Sequence, residues 1–340
     1  MTQTDLSPPR IRNIAELARL AGVTPGTVSR ALANSTLVNV ATRERIQALA
    51  REHGFRPNQM ARRLRVKETK VIGLVLPMGH ERRQHLSDPF FMAILGSLGD
   101  ILTESGYDMM LTRVLPDADD WLERIVDSGM LDGVVLIGQS DQVAAIEAVA
   151  ARYRPLVAWG SHLEGQRHCS VGVDNRLGGR LAGECLIGRG CRRLAFFGET
   201  RSIELEQRFR GLCDAAAASG LPEPRCYDTH LASELMPAEI AGHLAAHLDE
   251  FDGIFAASDQ IAMRTVRALA DCSLSVPGAM PVVGFDDLPL AQQTVPRLTT
   301  IRQDIPRGAK LMAQALFARI AGEDAPAQVM APTLVRRDTA

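Results

Sequence analysis

Apolar and polar positions alternate with two different periods along this chain. From residue 13 to residue 54 the period is helical. Asn13 stands where an N-cap belongs, and Ile14, Leu17, Ala18 and Ala21 fall on one face before Gly22 ends the run. Gly22 and Val23 form a tight turn, Thr24 caps the next helix, and that helix runs from Pro25 to about Ala33 with Val28 and Leu32 inward. A third helix is predicted from about Ala41 to His53, with Ile46, Leu49 and Ala50 inward and Gly54 at its end. Two helices joined by so short a turn make a helix-turn-helix. The following segment, "RPNQMARRLRVKETK" (56–70), is basic and too short to be stable as an isolated helix.

From Val71 the texture changes to apolar strands separated by amphipathic helices. "VIGLVLP", "DMMLTRV", "DGVVLIG" and "PLVAWG" alternate with helices near 89–105, 118–129 and 141–151. A second series runs through "SVGVD", "RLAFFG", "GIFAASD" and "PVVGFDD", with helices to Ile187, near 204–219, near 236–249 and to about Ala270. Strands this continuous in Val, Ile and Leu, each followed by a helix, predict doubly wound parallel sheets, here in two similar α/β lobes. Ligands of such sheets sit beyond the strand C-termini, so the cleft between the lobes is the expected site.

Composition adds bounds. A chain of 340 residues predicts two or three domains, and 46% hydrophobic with 23% charged residues is that of a soluble protein. No apolar run reaches membrane-spanning length and the first residues lack the apolar core of a secretory signal, so a cytoplasmic protein is expected. Six scattered cysteines without a CxxC pair predict reduced thiols, with no metal site and no cofactor. The net charge of −2 conceals an asymmetry: residues 1–70 hold 13 Lys/Arg against 5 Asp/Glu, and the remainder 25 against 35. A basic head on an acidic body predicts that the head meets a polyanion.

"NIAELARLAGVTPGTVSRALAN", "VATRERIQALAREHGFRPNQMARRLR", "VDNRLGGRLAGECLIGRG", "IFAASDQIAMRTVRAL", "PVVGFDD" and "LTTIRQD" together resemble the lactose/galactose-repressor (LacI/GalR) family, from Asn13 to about Asp338. The resemblance implies a helix-turn-helix domain at 1–56, a hinge helix or linker at 57–70, and an effector-binding and dimerisation domain resembling periplasmic sugar-binding proteins at 71–340. It places lobe 1 at about 71–171 and 301–330, and lobe 2 at about 172–300 and 331–340. It implies a regulator of sugar uptake or catabolism genes that binds palindromic double-stranded operator DNA, with a mono- or disaccharide between the lobes as effector. The chain closes on "TLVRRDTA" without a heptad-bearing tail, so a homodimer is expected. A sugar-binding transport protein, a co-repressed rather than induced regulator, and an enzyme of sugar metabolism are the alternatives. No nucleophile–base set stands out for the last, and "GGRLAG" does not follow the phosphate-loop pattern.

In the family the two positions after Thr24 commonly read bases. Here Pro25 and Gly26 offer shape and apolar contact, Pro25 against a thymine methyl, and Arg30 is left to take a guanine bidentately. Thr24, Thr27, Ser29 and Asn39 are cast as phosphate or positioning contacts, with capping and solvation open for Thr27 and Ser29. Asn58 would start the hinge helix, Leu64 matches the leucine that wedges the minor groove, and Arg62 and Arg63 would follow phosphate or groove edges. In the effector domain Arg208 matches a ligand-binding arginine and Asp286 a ligand-binding aspartate. Ser258 stands where Asn is common, and Asp259 is read as a helix cap. Phe90, Phe91 and Trp159 are candidates to stack on a sugar face, each with core packing as its alternative. Gln303 and Asp304 lie at an expected crossover, open to hinge or ligand roles. The insert "MGHERRQHLSD" (78–88) is left between a narrowed cleft and a solvated loop.

Overall fold

In the computed structural model, residues 11, 13–55, 68–79, 82–231 and 234–340 are described. The chain divides between Thr69 and Lys70 into two compact units.

The head is three helices, α1 (Ile14–Ala21), α2 (Pro25–Leu32) and α3 (Val40–Glu52). Their ends are set by side chains placed for the purpose. Asn13 accepts from the Glu16 N–H at 2.9 Å, Thr24 from Thr27 at 3.2 Å and Asn39 from Thr42 at 2.8 Å. Gly22 takes φ 63°, the left-handed conformation in which its N–H reaches back to the carbonyls of Ala18 and Arg19. Arg45 of α3 donates to the Ala21 carbonyl at 2.9 Å, fixing the end of α1. Leu17, Ala18, Val28, Ala31, Val38, Ile46, Ala50 and Phe55 form the small core, while Leu32 and Leu49 are only half-buried at its rim.

The second unit holds two six-stranded sheets. Sheet one contains β1 (Val71–Pro77), β2 (Asp108–Val114), β3 (Gly133–Ile137), β4 (Leu156–Trp159), β5 (Cys169–Val173) and β11 (Gln328–Met330), in the order β11-β5-β4-β3-β1-β2. Sheet two contains β6 (Leu194–Phe197), β7 (Arg225–Tyr227), β8 (Gly253–Ala256), β9 (Val282–Asp286), β10 (Thr299–Arg302) and β12 (Thr333–Val335), in the order β12-β10-β9-β8-β6-β7. Helices α4 (Pro89–Glu104), α5 (Trp121–Val126), α6 (Val143–Ala150) and α11 (Ile305–Ile320) cover the first sheet. Helices α7 (Asn175–Gly188), α8 (Ile203–Ala218), α9 (Met236–His247) and α10 (Asp259–Asp271) accompany the second. Neighbouring strands are parallel except at one edge, where β12 pairs antiparallel with β10. That edge, and the short strands β7, β10, β11 and β12, depart from the strand series read from the sequence.

Burial on both faces explains the unbroken apolar strands. In β1, Ile72, Leu74 and Leu76 meet Ile94 and Leu98 of α4 and Met312 and Leu316 of α11, whereas Val75 turns to Trp121, Leu122 and Ile146 on the opposite face. Phe196, Phe197, Phe255 and Phe285 fill the corresponding core of lobe 2. The chain passes between lobes after Val173, after Arg302, and between Met330 and Thr333.

Candidate functional site

On the head, α2 presents the residues singled out from the sequence. Thr24, Pro25, Gly26 and Arg30 are exposed, Thr27 and Ser29 half-buried, and Asn39 exposed at the start of α3. The Thr24 and Thr27 hydroxyls share a hydrogen bond of 2.9 Å, so both serve the cap of α2. Arg30 curls back along the helix and its Nε donates to the Gly26 carbonyl at 3.2 Å, which draws the guanidinium toward the helix N-terminus. A Cβ on Gly26 would sit 3.6 Å from Arg30 Nη2, in ordinary contact. Asn58, Arg62, Arg63 and Leu64 lie outside the described residues.

In the second unit the strand ends of both sheets open onto one cleft of about 770 Å³, open space at its mouth included. Phe90, Phe91, Trp159, Arg208, Ser258, Asp286 and Gln303 all line it. The aromatic groups occupy the lobe 1 side. Phe91, 7% exposed, packs in the lobe 1 core, while Phe90 is half-buried with its ring centroid 6.0 Å from that of Trp159. The site thus has a tilted aromatic wall, of which Phe90 is the more exposed ring.

Arg208 is the central cation. It is 7% exposed, donates from Nε to Asn175 Oδ1 at 2.9 Å and from Nη1 to the Ala257 carbonyl at 2.6 Å, and lies 3.6 Å above the Phe285 ring. Asn175 donates in turn to Ser161 Oγ at 3.0 Å, and Ser161 donates to Gln207 at 2.8 Å. This chain of bonds crosses from lobe 2 through the hinge to lobe 1 and back. Glycines set the position of α8, which carries Arg208. A Cβ on Gly179 of α7 would fall 1.9 Å from the Arg208 carbonyl oxygen, and one on Gly211 would fall 2.0 Å from the Arg176 carbonyl. Of the "GGRLAG" glycines, Gly179 lets two helix backbones touch, while Gly178 makes room for the Phe285 ring and Gly183 for Leu212 and Ala215; close packing is their role.

Acidic groups face this cation. Asp286 ends β9 with φ 126°, a conformation rare outside glycine, and its Oδ1 accepts from Gln303 Nε2 at 2.6 Å. Burial pushes its carboxyl up to about 7, against the pull of Arg208 and Gln303, and Asp88 adds repulsion. Asp88 caps α4 by accepting from the Phe90 N–H at 2.9 Å, and burial raises it too. Asp259 differs from its sequence reading. Ser258 is the cap of α10, accepting from the Ile261 N–H at 3.3 Å, because its hydroxyl is short enough to fold back on the helix start. Asp259 is fully buried behind it and accepts from the Leu288 N–H at 2.8 Å and the Thr300 hydroxyl at 2.5 Å, tying β9 to β10. Burial, reinforced by Asp286, holds its carboxyl well above the ordinary range.

The insert at 78–88 narrows the cleft. Met78, Gln84 and Asp88 line it, and Gln84 donates to Asp88 at 3.0 Å. Arg113 of β2 pins the loop through the carbonyls of Arg82 and Gln84, and His85 meets Glu234 of lobe 2 at 3.2 Å across the mouth. Gln84, Asp88, Glu204 and Gln260 are lining residues that sequence reasoning did not find. Glu204 Oε1 and Gln260 Oε1 are enclosed without a hydrogen-bond partner. Among the described residues no cluster of His, Cys, Asp and Glu could hold a metal, and no helix is long and apolar enough to cross a membrane.

Comparison with known proteins bears on both units. The family described as "Bacterial regulatory proteins, lacI family" matches residues 13–58, and the "Periplasmic binding protein-like domain" matches residues 184–340. The HTH-type transcriptional regulator CelR of Thermobifida fusca is 30% identical over 316 residues, covering 90% of this chain and 91% of its own. The sucrose operon repressor of Streptococcus mutans serotype c is 27% identical over 327 residues, covering 95% and 97%. Among solved structures, a transcriptional regulator CelR–cellobiose complex superposes with a TM-score of 0.68 at 27% identity, covering 97% of this chain and 100% of its own.

Proposed function

The chain belongs to the lacI family of bacterial regulatory proteins and is a DNA-binding transcriptional regulator, and we propose that it is a sugar-responsive repressor acting as a homodimer on a palindromic operator. It reads DNA rather than transforming a substrate, and its place of work is the cytoplasm. The observation that carries the sugar reading is the cleft itself. It offers one guanidinium, carboxyls from both lobes and an aromatic wall around a space between two lobes. Paired acceptor oxygens suit vicinal hydroxyls, and the Phe90–Trp159 wall suits the C–H face of a pyranose. Asp88 and Asp286 against Arg208 leave no surplus of positive charge in the lining, so the effector is a neutral, hydroxyl-bearing sugar and not a sugar phosphate or sugar acid. Two similar relatives have names that fit: one is a sucrose operon repressor, and one was solved with cellobiose.

On the head, Arg30 supplies the base-edge contact, Pro25 and Gly26 supply shape, and Thr24, Thr27, Ser29 and Asn39 position the helices against phosphate. The linker residues Asn58, Arg62, Arg63 and Leu64 supply the minor-groove part. The effector units are 71–340, and the 57–70 linker carries the change of lobe arrangement to the head. A sugar that prefers one lobe arrangement shifts operator affinity by its differential binding to the two arrangements.

A thermal-shift screen of neutral mono- and disaccharides beside their phosphates tests the cleft reading. A neutral sugar that raises Tm in the wild type and not in Arg208→Met or Asp286→Ala supports it. Stabilisation by sugar phosphates alone overturns the neutral assignment.

A further inference from the structure

Two enclosed oxygens on opposite sides of the lobe boundary have no hydrogen-bond partner: Gln139 Oε1, just after β3, and Glu204 Oε1, in the first turn of α8. Each lies 2.7 Å from the point a Cβ on Gly160 would occupy, so the two are separated by at most twice that distance. Gln139 is fully buried and its amide is held from behind, with Nε2 at 2.7 Å from His168 Nε2. His168 Nδ1 is in turn hydrogen-bonded to Glu147. The Glu147 carboxylate accepts a hydrogen bond from the His168 Nδ1–H, which leaves Nε2 as acceptor for the Gln139 amide N–H. That arrangement turns Gln139 Oε1 away from His168, toward the Gly160 backbone that it shares with Glu204. Two bare acceptors brought together in an enclosed space repel, and a single proton satisfies both.

We propose that Glu204 is a positioning residue that works as its protonated acid, donating across the lobe boundary to Gln139 and so tying the closed cleft together. Burial pushes the Glu204 carboxyl up, against the backbone N–H groups of Glu204, Ser161 and Gln139 and the charge of Arg208, which pull it down. Burial likewise pushes His168 down, against Glu147, and the charges of His162 and Arg319 push it the same way. Both shifts favour an acid at Glu204 beside a neutral imidazole. The competing arrangement keeps the same number of protons: with the Gln139 amide reversed, His168 is an imidazolium donating to Gln139 Oε1, and Gln139 donates to a Glu204 carboxylate. When the lobes part, Glu204 meets water and gives up its proton. Between the ordinary carboxylate range and the raised value closure then takes up one proton, so effector affinity falls by up to about tenfold per pH unit across that window and levels off above it.

The test needs no sugar, so its failure and that of the sugar assignment are separately visible. Infrared difference spectra of the full chain at neutral pH compare the wild type with Glu204→Gln and Glu206→Gln. A protonated-carboxyl C=O band present in the wild type, lost in Glu204→Gln and kept in Glu206→Gln is the expected result. Gln139→Leu removes the acceptor, so the band persists and moves to the higher frequency of an unbonded acid. No band assignable to Glu204, a band unmoved by Gln139→Leu, or a His168 ring protonated on both nitrogens by ¹⁵N NMR would each overturn the proposal.

Discussion

Alanine at Gly179 tests how the helix pair holds Arg208. The new methyl would lie 1.9 Å from the Arg208 carbonyl oxygen, 2.8 Å from its carbon and 3.0 Å from its Cα, against an ordinary contact of 3.4 Å or more. The obstructing atoms are backbone, so no rotamer relieves the clash, and α8 must retreat by about 1.5 Å at this point, the difference between 3.4 and 1.9 Å. Overpacking of this kind costs about 1–3 kcal/mol. Replacing glycine by alanine inside a helix returns about 1 kcal/mol of propensity. With a backbone clash the first effect wins, and the net is a loss of up to about 2 kcal/mol. Gly242→Ala is the control, because α9 leaves nothing within 4 Å of its added Cβ. There only propensity acts, and stability rises by up to about 1 kcal/mol. Urea midpoints of the two variants should therefore move in opposite directions. Gly179→Ala should also lose the sugar-induced thermal shift, since Arg208 moves with its helix. A Gly179→Ala protein as stable as wild type, with its sugar response intact, would refute the close-packing argument.

Other outcomes follow from single groups. Asp286 sits at about 7 in the folded chain, above its ordinary value of 3.8, so the native state favours the proton. Stability is therefore greatest below the ordinary carboxylate range and falls as pH rises toward 7; Asp286→Asn should flatten Tm over that window, and a slope equal to wild type would assign the effect elsewhere. Arg30→Ala should lose about 1–3 kcal/mol at one base pair and less on unrelated DNA, whereas uniform weakening on every sequence would make it a phosphate contact. Arg208→Lys cannot reproduce the bonds to Asn175 and Ala257 or the stack on Phe285. It should abolish sugar binding with a stability loss of about 2–4 kcal/mol by chemical denaturation, and a retained sugar response would displace Arg208 from the centre of the site.

Local signals decided what could be read from the sequence. Asn13, Gly22 and Thr24 act within four residues of themselves, so the first two helices of the head were legible with their caps, whereas Asn39, read as a phosphate or positioning contact, caps the third. Strands buried on both faces announce themselves as apolar runs, which gave the order of the two lobes. The strands β7, β11 and β12 are three residues each and lie at sheet edges, too short for any period to show. Arg208 and Asp286 were found through family likeness and the aromatic residues as rings able to stack on a sugar face, and the structure gathers them into one cleft. Glu204 and Gln139 carry no such mark. They are unremarkable until residues 65 positions apart meet over Gly160, whose missing Cβ makes the room. The cap expected of Asp259 falls to Ser258 for a similar reason. Either could cap α10 by sequence, and only the positions of Leu288 and Thr300 draw the carboxylate inward.

Operator affinity in the presence and absence of neutral sugars tests the central claim most directly. DNA selected from random sequence by the full chain, titrated at fixed salt, should give a palindromic site bound by a dimer. One neutral mono- or disaccharide should change that affinity severalfold or more, and Arg208→Met should remove the change while leaving sugar-free affinity in place. Specific DNA binding that no neutral sugar alters, or that alters equally in Arg208→Met, would contradict the account.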